Sequence, residues 1–189
     1  MNVFKLTVAA AVAAFLAFSQ SGYAQTRPAA KVSPQDQQLM SRLAQGDHAE
    51  IAAGKLAAGK ASEGPVKEFA EHMVTEHTRM LEEAKRFAQS KGARLPARAD
   101  KKHQDALKKL QKLEGDAFDR AFMAQMVSDH KAAMSLAQKT AKDAKDPALR
   151  LYAQAGVDKI RQHLEKAQEI QASLSASAGG SARPAAKKK

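Results

Sequence analysis

The chain has no cysteine and no tryptophan, two tyrosines and six prolines among its 189 residues. Without cysteine there is neither a disulfide nor a thiolate ligand. A metal would have to be held by His, carboxylate, Met or water. Without tryptophan, and with 5% aromatic residues, basic and aromatic side chains are not interleaved for base stacking. That argues against nucleic acid as a partner despite a formal charge of +11. β-Branched residues are scarce and no strand alternation is visible. There is no Gly-x-Ser-x-Gly elbow, no phosphate-binding loop and no dinucleotide fingerprint. Binding is therefore favoured over catalysis.

Long apolar runs are also missing, with one exception at the start. Lys5, the stretch Leu6 to Phe18 and the small residues of Gly22-Tyr23-Ala24 read as a signal peptide over residues 1–24, cleaved after Ala24. The apolar stretch of about 13 residues is shorter than the roughly 20 a transmembrane helix needs. No cysteine follows it to carry a lipid. The expectation is a periplasmic or secreted protein with no transmembrane segment.

What is present is helical. Residues 25–33 are a polar leader. Ser33-Pro34 reads as an N-cap followed by a first-turn proline, opening a helix to about Ala61. Ser62-Glu63-Gly64-Pro65 breaks it and opens a second helix to about Lys91, where Gly92 and Pro96 stop it. Residues 93–114 are a lysine-rich connector with a short helix from Asp100 to Leu113. A third long helix runs from Gly115 to about Ala144. A fourth starts at Asp146-Pro147 and fades near Leu174. Residues 175–189 read as a disordered basic tail. The fold class is all-α: a ferritin-like four-helix bundle over residues 34–174, built of two antiparallel hairpins joined by a long, partly helical crossover.

Four polar residues fall on apolar faces of these helices. His77 shares its face with Val66, Met73, Ala84 and Ala88. His130 lies with Met123, Met126, Met134, Ala137 and Ala141. His163 lies with Tyr152, Gly156, Ala167, Ile170 and Leu174. Glu50 lies with Leu39, Leu43, Gly46, Ala57 and Ala61. His72 falls on a charged face, His48 on a mixed rim and His103 in the connector, so these three read as surface residues.

Hairpin arithmetic sets the level. In an antiparallel pair two residues are level when their midpoint falls at the turn. The midpoint of Glu50 and His77 falls between Glu63 and Gly64, and that of His130 and His163 between Asp146 and Pro147. If both turns lie at the same end, the pairs differ by about three residues in distance from their turns, roughly 4–5 Å along a helix. Helix axes about 8–10 Å apart let side chains from all four meet.

Two readings follow. In one, Glu50, His77, His130 and His163 bind one divalent transition metal; a His₃Glu set suits zinc, iron, manganese or copper. Glu76, Asp129, Met73 and Met126 would support the ligands from behind. A di-iron centre needs two Glu-x-x-His motifs, and Val74, Val127 and Ile160 stand where those glutamates would be. In the other reading the four form a metal-free buried network that sets helix register. The Lys-rich connector and tail would then dock on anionic envelope surfaces.

Several runs resemble a known family. They are Gly46-Asp47-His48-Ala49-Glu50-Ile51 through Lys55-Leu56-Ala57, Met73-Val74-Thr75-Glu76-His77, Phe118-Asp119-Arg120-Ala121-Phe122, Met126-Val127-Ser128-Asp129-His130 and His163-Leu164. In this order they resemble the secreted bacterial domain-of-unknown-function family 4142 over about residues 35–172. Its members are sometimes described as predicted outer-membrane proteins. The resemblance implies a ferritin-like four-helix fold and export, and no established activity. The family's motif positions fall on Glu50, His77, Asp129, His130 and His163. Lys131 departs from the pattern, which often has an acidic residue there. Neither barrel strands nor a spanning helix accompany the outer-membrane description.

Overall fold

The computed structural model describes residues 32–181, with side chains described through residue 177. The expected signal peptide, most of the polar leader and residues 182–189 lie outside the described residues. The described chain is all-α: α1 (Pro34–Lys60), α2 (Gly64–Ser90), α3 (Lys101–Leu110), α4 (Gly115–Asp143) and α5 (Pro147–Ser181).

The helix starts are built as their residues dictate. Ser33 Oγ accepts from the Asp36 amide at 3.1 Å, and Pro34 occupies the first turn. Asp100 caps α3 by accepting from the His103 amide at 3.0 Å. Gly92 and Gly115 adopt φ of +63° and +54°, which stop α2 and open α4. α5 extends to Ser181, beyond the expected end at Leu174, so the first part of the expected disordered tail is helical. Ser175 and Ser177 return their hydroxyls to the carbonyls of Gln171 and Ser173. A run of Ala and Ser carries little penalty against continuing a helix already formed.

α1 packs chiefly on α2, and α4 on α5. α1 also meets α4, α2 meets α5, and α3 lies against α1 and α4. Two buried carboxylates fix how the hairpins meet. Asp119, near the start of α4, accepts from the Ser62 amide, the Ser62 hydroxyl and the Glu63 amide in the α1–α2 turn, the last at 2.8 Å. Asp36, at the start of α1, accepts from the Lys145 and Asp146 amides in the α4–α5 turn at 2.8 and 2.9 Å. Each hairpin thus caps the turn of the other, and α1 runs antiparallel to α4. Glu63 makes no side-chain cap at α2; Asp119 instead accepts from the turn amides just before the helix.

Asp119→Ala leaves three donors without that acceptor. It is expected to cost about 2–3 kcal/mol in urea denaturation, against under ~0.5 kcal/mol for an inert surface change.

The core is divided along the helices. Near the α1–α2 turn, Phe118 and Phe122 stack at 6.1 Å and Phe69 meets Phe122 edge-on, with Val66, Met73, Met126 and Ile170 around them. At the other end Leu39, Met40, Ala144 and Leu149 pack with Phe87 and Tyr152, whose rings stack at 5.4 Å. The polar residues lie between these apolar caps.

Candidate metal centre

Glu50, His77, His130 and His163 come from α1, α2, α4 and α5, and all four are buried, at 6%, 4%, 1% and 5% exposure. The three imidazoles face one another with ring centroids 5.4–5.6 Å apart. One nitrogen from each lies within 4.8 Å of one from each of the others. Glu50 stands at the edge of this trio, its Oε1 3.7 Å from His130 Nδ1. Four atoms have no hydrogen-bond partner in the protein: Glu50 Oε2, His77 Nε2, His130 Nε2 and His163 Nδ1. Buried polar atoms are normally paired, so four at one place need an explanation.

Two rings have their tautomer fixed from behind. His77 Nδ1 bonds Asp47 Oδ1 at 2.9 Å, and His130 Nδ1 donates to the Met126 carbonyl at 2.9 Å. Each leaves Nε2 as the free nitrogen. A carboxylate or carbonyl behind an imidazole is the arrangement that orients metal-binding histidines.

Electrostatics favour neutral rings at two positions. Burial lowers His130 to about 4, helped by the charge of His77. Burial lowers His163 to about 3, helped by His77 and His130. Both offer lone pairs at neutral pH. Burial opposes charge on His77 too, but the hydrogen bond to Asp47 and the nearby Glu50 and Asp47 outweigh it, and His77 is raised. Asp47 is pushed up by burial against the pull of His77. Burial lifts Glu50 to about 8, with His77 opposing and Asp129 and Asp47 adding to it.

The residues expected to stand behind the ligands divide. Met73 and Met126 are fully buried in the apolar core, and Met126 supports His130 through its carbonyl, not its sulfur. Asp129 is half-buried, lines the cavity beside Glu50 and is raised by burial. Glu76 is held by Arg79 at 2.6 Å and faces Lys159 of α5 at 3.8 Å, so its carboxylate is engaged on the flank. His48 bonds the Pro96 carbonyl and His103 bonds Asp100. His72 is exposed, with its ring edge-on to His163 at 5.6 Å.

Asp47 was not among the expected site residues. Its signal was available: it precedes Glu50 by three residues on a helix and so shares its face. Asp36 and Asp119 were missed because their donors lie in the turn of the other hairpin.

The sequence profile of a domain of unknown function, DUF4142, matches residues 21–170. No curated protein matches the chain. Among solved structures, the crystal structure of a DUF305 fragment from Deinococcus radiodurans is similar at a TM-score of 0.64 and 16% identity. The match covers 76% of this chain and 99% of that one. At that identity the likeness concerns the fold alone.

Proposed function

The chain belongs to the DUF4142 family of domains of unknown function, and from that premise we propose an exported ferritin-like four-helix bundle that binds one divalent transition metal in its interior. His77, His130 and His163 supply nitrogen ligands, and Glu50 is the carboxylate beside them. Zinc, iron, manganese and copper all suit such a set. The carrying observation is the convergence of three buried imidazoles, each with a nitrogen within 4.8 Å of one on each of the others and each with a nitrogen that has no hydrogen-bond partner among the described residues.

The donor set fits. Metal–nitrogen bonds of 2.0–2.1 Å in a tetrahedron place nitrogens about 3.4 Å apart, within reach of small ring rotations. The bound ion would supply positive charge and Lewis acidity. The chain's own part is to hold three lone pairs inward, shield them between two apolar caps, and balance charge with Glu50 and Asp47. Storage, binding or a minor redox role fits better than hydrolysis.

Export rests on the apolar stretch from Leu6 to Phe18 and cleavage after Ala24, which would leave a periplasmic or secreted chain. No helix among the described residues is long and apolar enough to cross a membrane.

A second reading, a metal-free interaction or envelope-stress protein, draws on the buried Asp47–His77 pair. Buried ionic pairs can serve register instead of stability. In that version the exposed Lys101, Lys102, Lys108 and Lys109 of α3 meet anionic envelope polymers. It leaves the four unpartnered atoms unexplained.

Thermal unfolding after mild purification separates the two. With metal at about a thousandfold over its Kd, a native-state ligand adds about 4 kcal/mol. The melting temperature should therefore fall on chelation and return with zinc, copper, manganese or iron. An unchanged melting temperature through the same cycle favours the second reading.

A further inference from the structure

A cavity of about 330 Å³ opens directly on the candidate centre, and Glu50, His77 and His130 form part of its wall. We infer that this cavity is a binding site for a small, neutral, mostly apolar molecule carrying one nitrogen donor, which coordinates the metal from the open side. The inference rests on the metal reading above and adds a second ligand to it.

The space is made by glycine and alanine on inward faces. Gly46 of α1 and Gly156 of α5 line it, and a Cβ built on either meets nothing within 4 Å. Gly54 on α1 behaves differently. A Cβ there would lie 2.9 Å from Val74 Cγ2 and 3.0 Å from the Ala70 carbonyl. Gly54 is required by the close approach of α1 and α2, whereas Gly46 and Gly156 are required by no contact. A glycine inside a helix costs about 0.5–1 kcal/mol relative to alanine. Two such positions flanking one cavity leave room that the packing does not use.

The walls define the ligand. Leu43, Met80 and Leu136 line the cavity with several alanines, so the body of the molecule is apolar. Glu50 and Asp47 are also in the lining, and among the described residues no lysine or arginine acts on the three imidazoles. An anionic head would meet carboxyls there. The rest of the lining carries Arg42, Lys102 and Lys159 against Glu83, Asp100 and Asp129, a balance that favours no net charge. Three imidazole ligands leave at least one coordination position on a transition metal, and a nitrogen donor matches the borderline character of that set. The volume lies at the small end of ligand pockets and accommodates about ten non-hydrogen atoms at interior packing density. Glu50, His77 and His130 line this space, and each carries a buried side-chain atom with no hydrogen-bond partner among the described residues.

The test uses the full chain loaded with cobalt(II) and titrated with 4-phenylimidazole, followed by the visible d–d bands and by cobalt retained after desalting. The wild type is expected to show a saturable spectral change with cobalt retained. Gly156→Leu and, from the opposite wall, Gly46→Leu should keep cobalt and melting temperature while weakening the probe by about tenfold or more. A cobalt-loaded wild type whose spectrum ignores the probe overturns this inference alone. So do leucine variants that bind the probe as tightly as wild type, and variants that lose cobalt. A wild type that takes up no cobalt overturns the metal reading, and this inference with it.

Discussion

His77→Ala combined with His130→Ala is expected to empty the protein of metal and abolish any metal-dependent rise in melting temperature. Apparent binding energies of about 10–16 kcal/mol for four-ligand structural zinc sites put each ligand at roughly 3 kcal/mol. Losing two imidazoles then costs about 6 kcal/mol, a factor of ~10⁴ in affinity. Metal analysis of the purified variant should fall from about one ion per chain to background. His77→Ala also strips Asp47 of its buried partner, which destabilises the chain whether or not metal is present. His130→Ala alone avoids that problem, since Asp47–His77 stays intact. It removes one nitrogen, so affinity should fall by about two orders of magnitude while circular dichroism remains helical. Metal retained at full stoichiometry in the double variant would place any ion elsewhere.

The second large effect is on pH dependence of the chelated, metal-free protein, which should be most stable near pH 6.5 and decline on both sides. Glu50, facing His77, Asp47 and Asp129, is raised by burial from 4.5 to about 8. In that interval the folded chain holds a proton that the unfolded chain releases, so stability falls as pH rises. Between pH 6.5 and 8 this amounts to about 2 kcal/mol, and the raised His77 adds in the same direction. His130 and His163 act oppositely. Burial holds them at about 4 and about 3, so the unfolded chain takes up protons first as pH falls below 6.5, and stability is lost on that side. Protonation of Glu50, and of Asp47 and Asp129 where burial raises them, recovers part of it. Glu50→Gln should flatten the alkaline limb of denaturation midpoints and steepen the acid limb between pH 6.5 and 4.5, where Glu50 no longer offsets the histidines. An alkaline limb that persists unchanged in Glu50→Gln would show that Glu50 is not the group responsible.

Much of this arrangement could be read from residue order. The four long helices begin and end where Ser33-Pro34, Gly64-Pro65, Gly115 and Pro147 place them, because caps, prolines and left-handed glycines act locally. Buried histidines on α2, α4 and α5 were legible from their apolar neighbours at helical spacing. Midpoint arithmetic levelled each pair within its own hairpin because each turn is short, but its premise of both turns at one end is overturned. Asp119 and Asp36 hold the two turns at opposite ends, and the pairs meet because each lies near the middle of its helices. That arithmetic resolves about one helical turn and no finer. The midpoint of Asp47 and His77 falls at Ser62, in the same turn as that of Glu50 and His77. Spacing therefore did not reveal that Asp47 bonds His77 while Glu50 turns towards His130. Asp36 and Asp119 were illegible for a different reason. Each satisfies amides more than fifty residues away, and only the docking of the two hairpins brings them together. α5 continues past Leu174 because the Ser and Ala residues that follow carry little penalty in a helix already formed, although their composition resembles a linker and Gly179-Gly180 oppose propagation.

X-ray absorption at the edge of the bound metal tests the central claim most directly. Three imidazole nitrogens at about 2.0–2.1 Å, with the outer-ring scattering that identifies histidine, are the expected shell. An oxygen-only shell, or fewer than two imidazoles around the ion, would contradict the assignment of His77, His130 and His163 as its ligands.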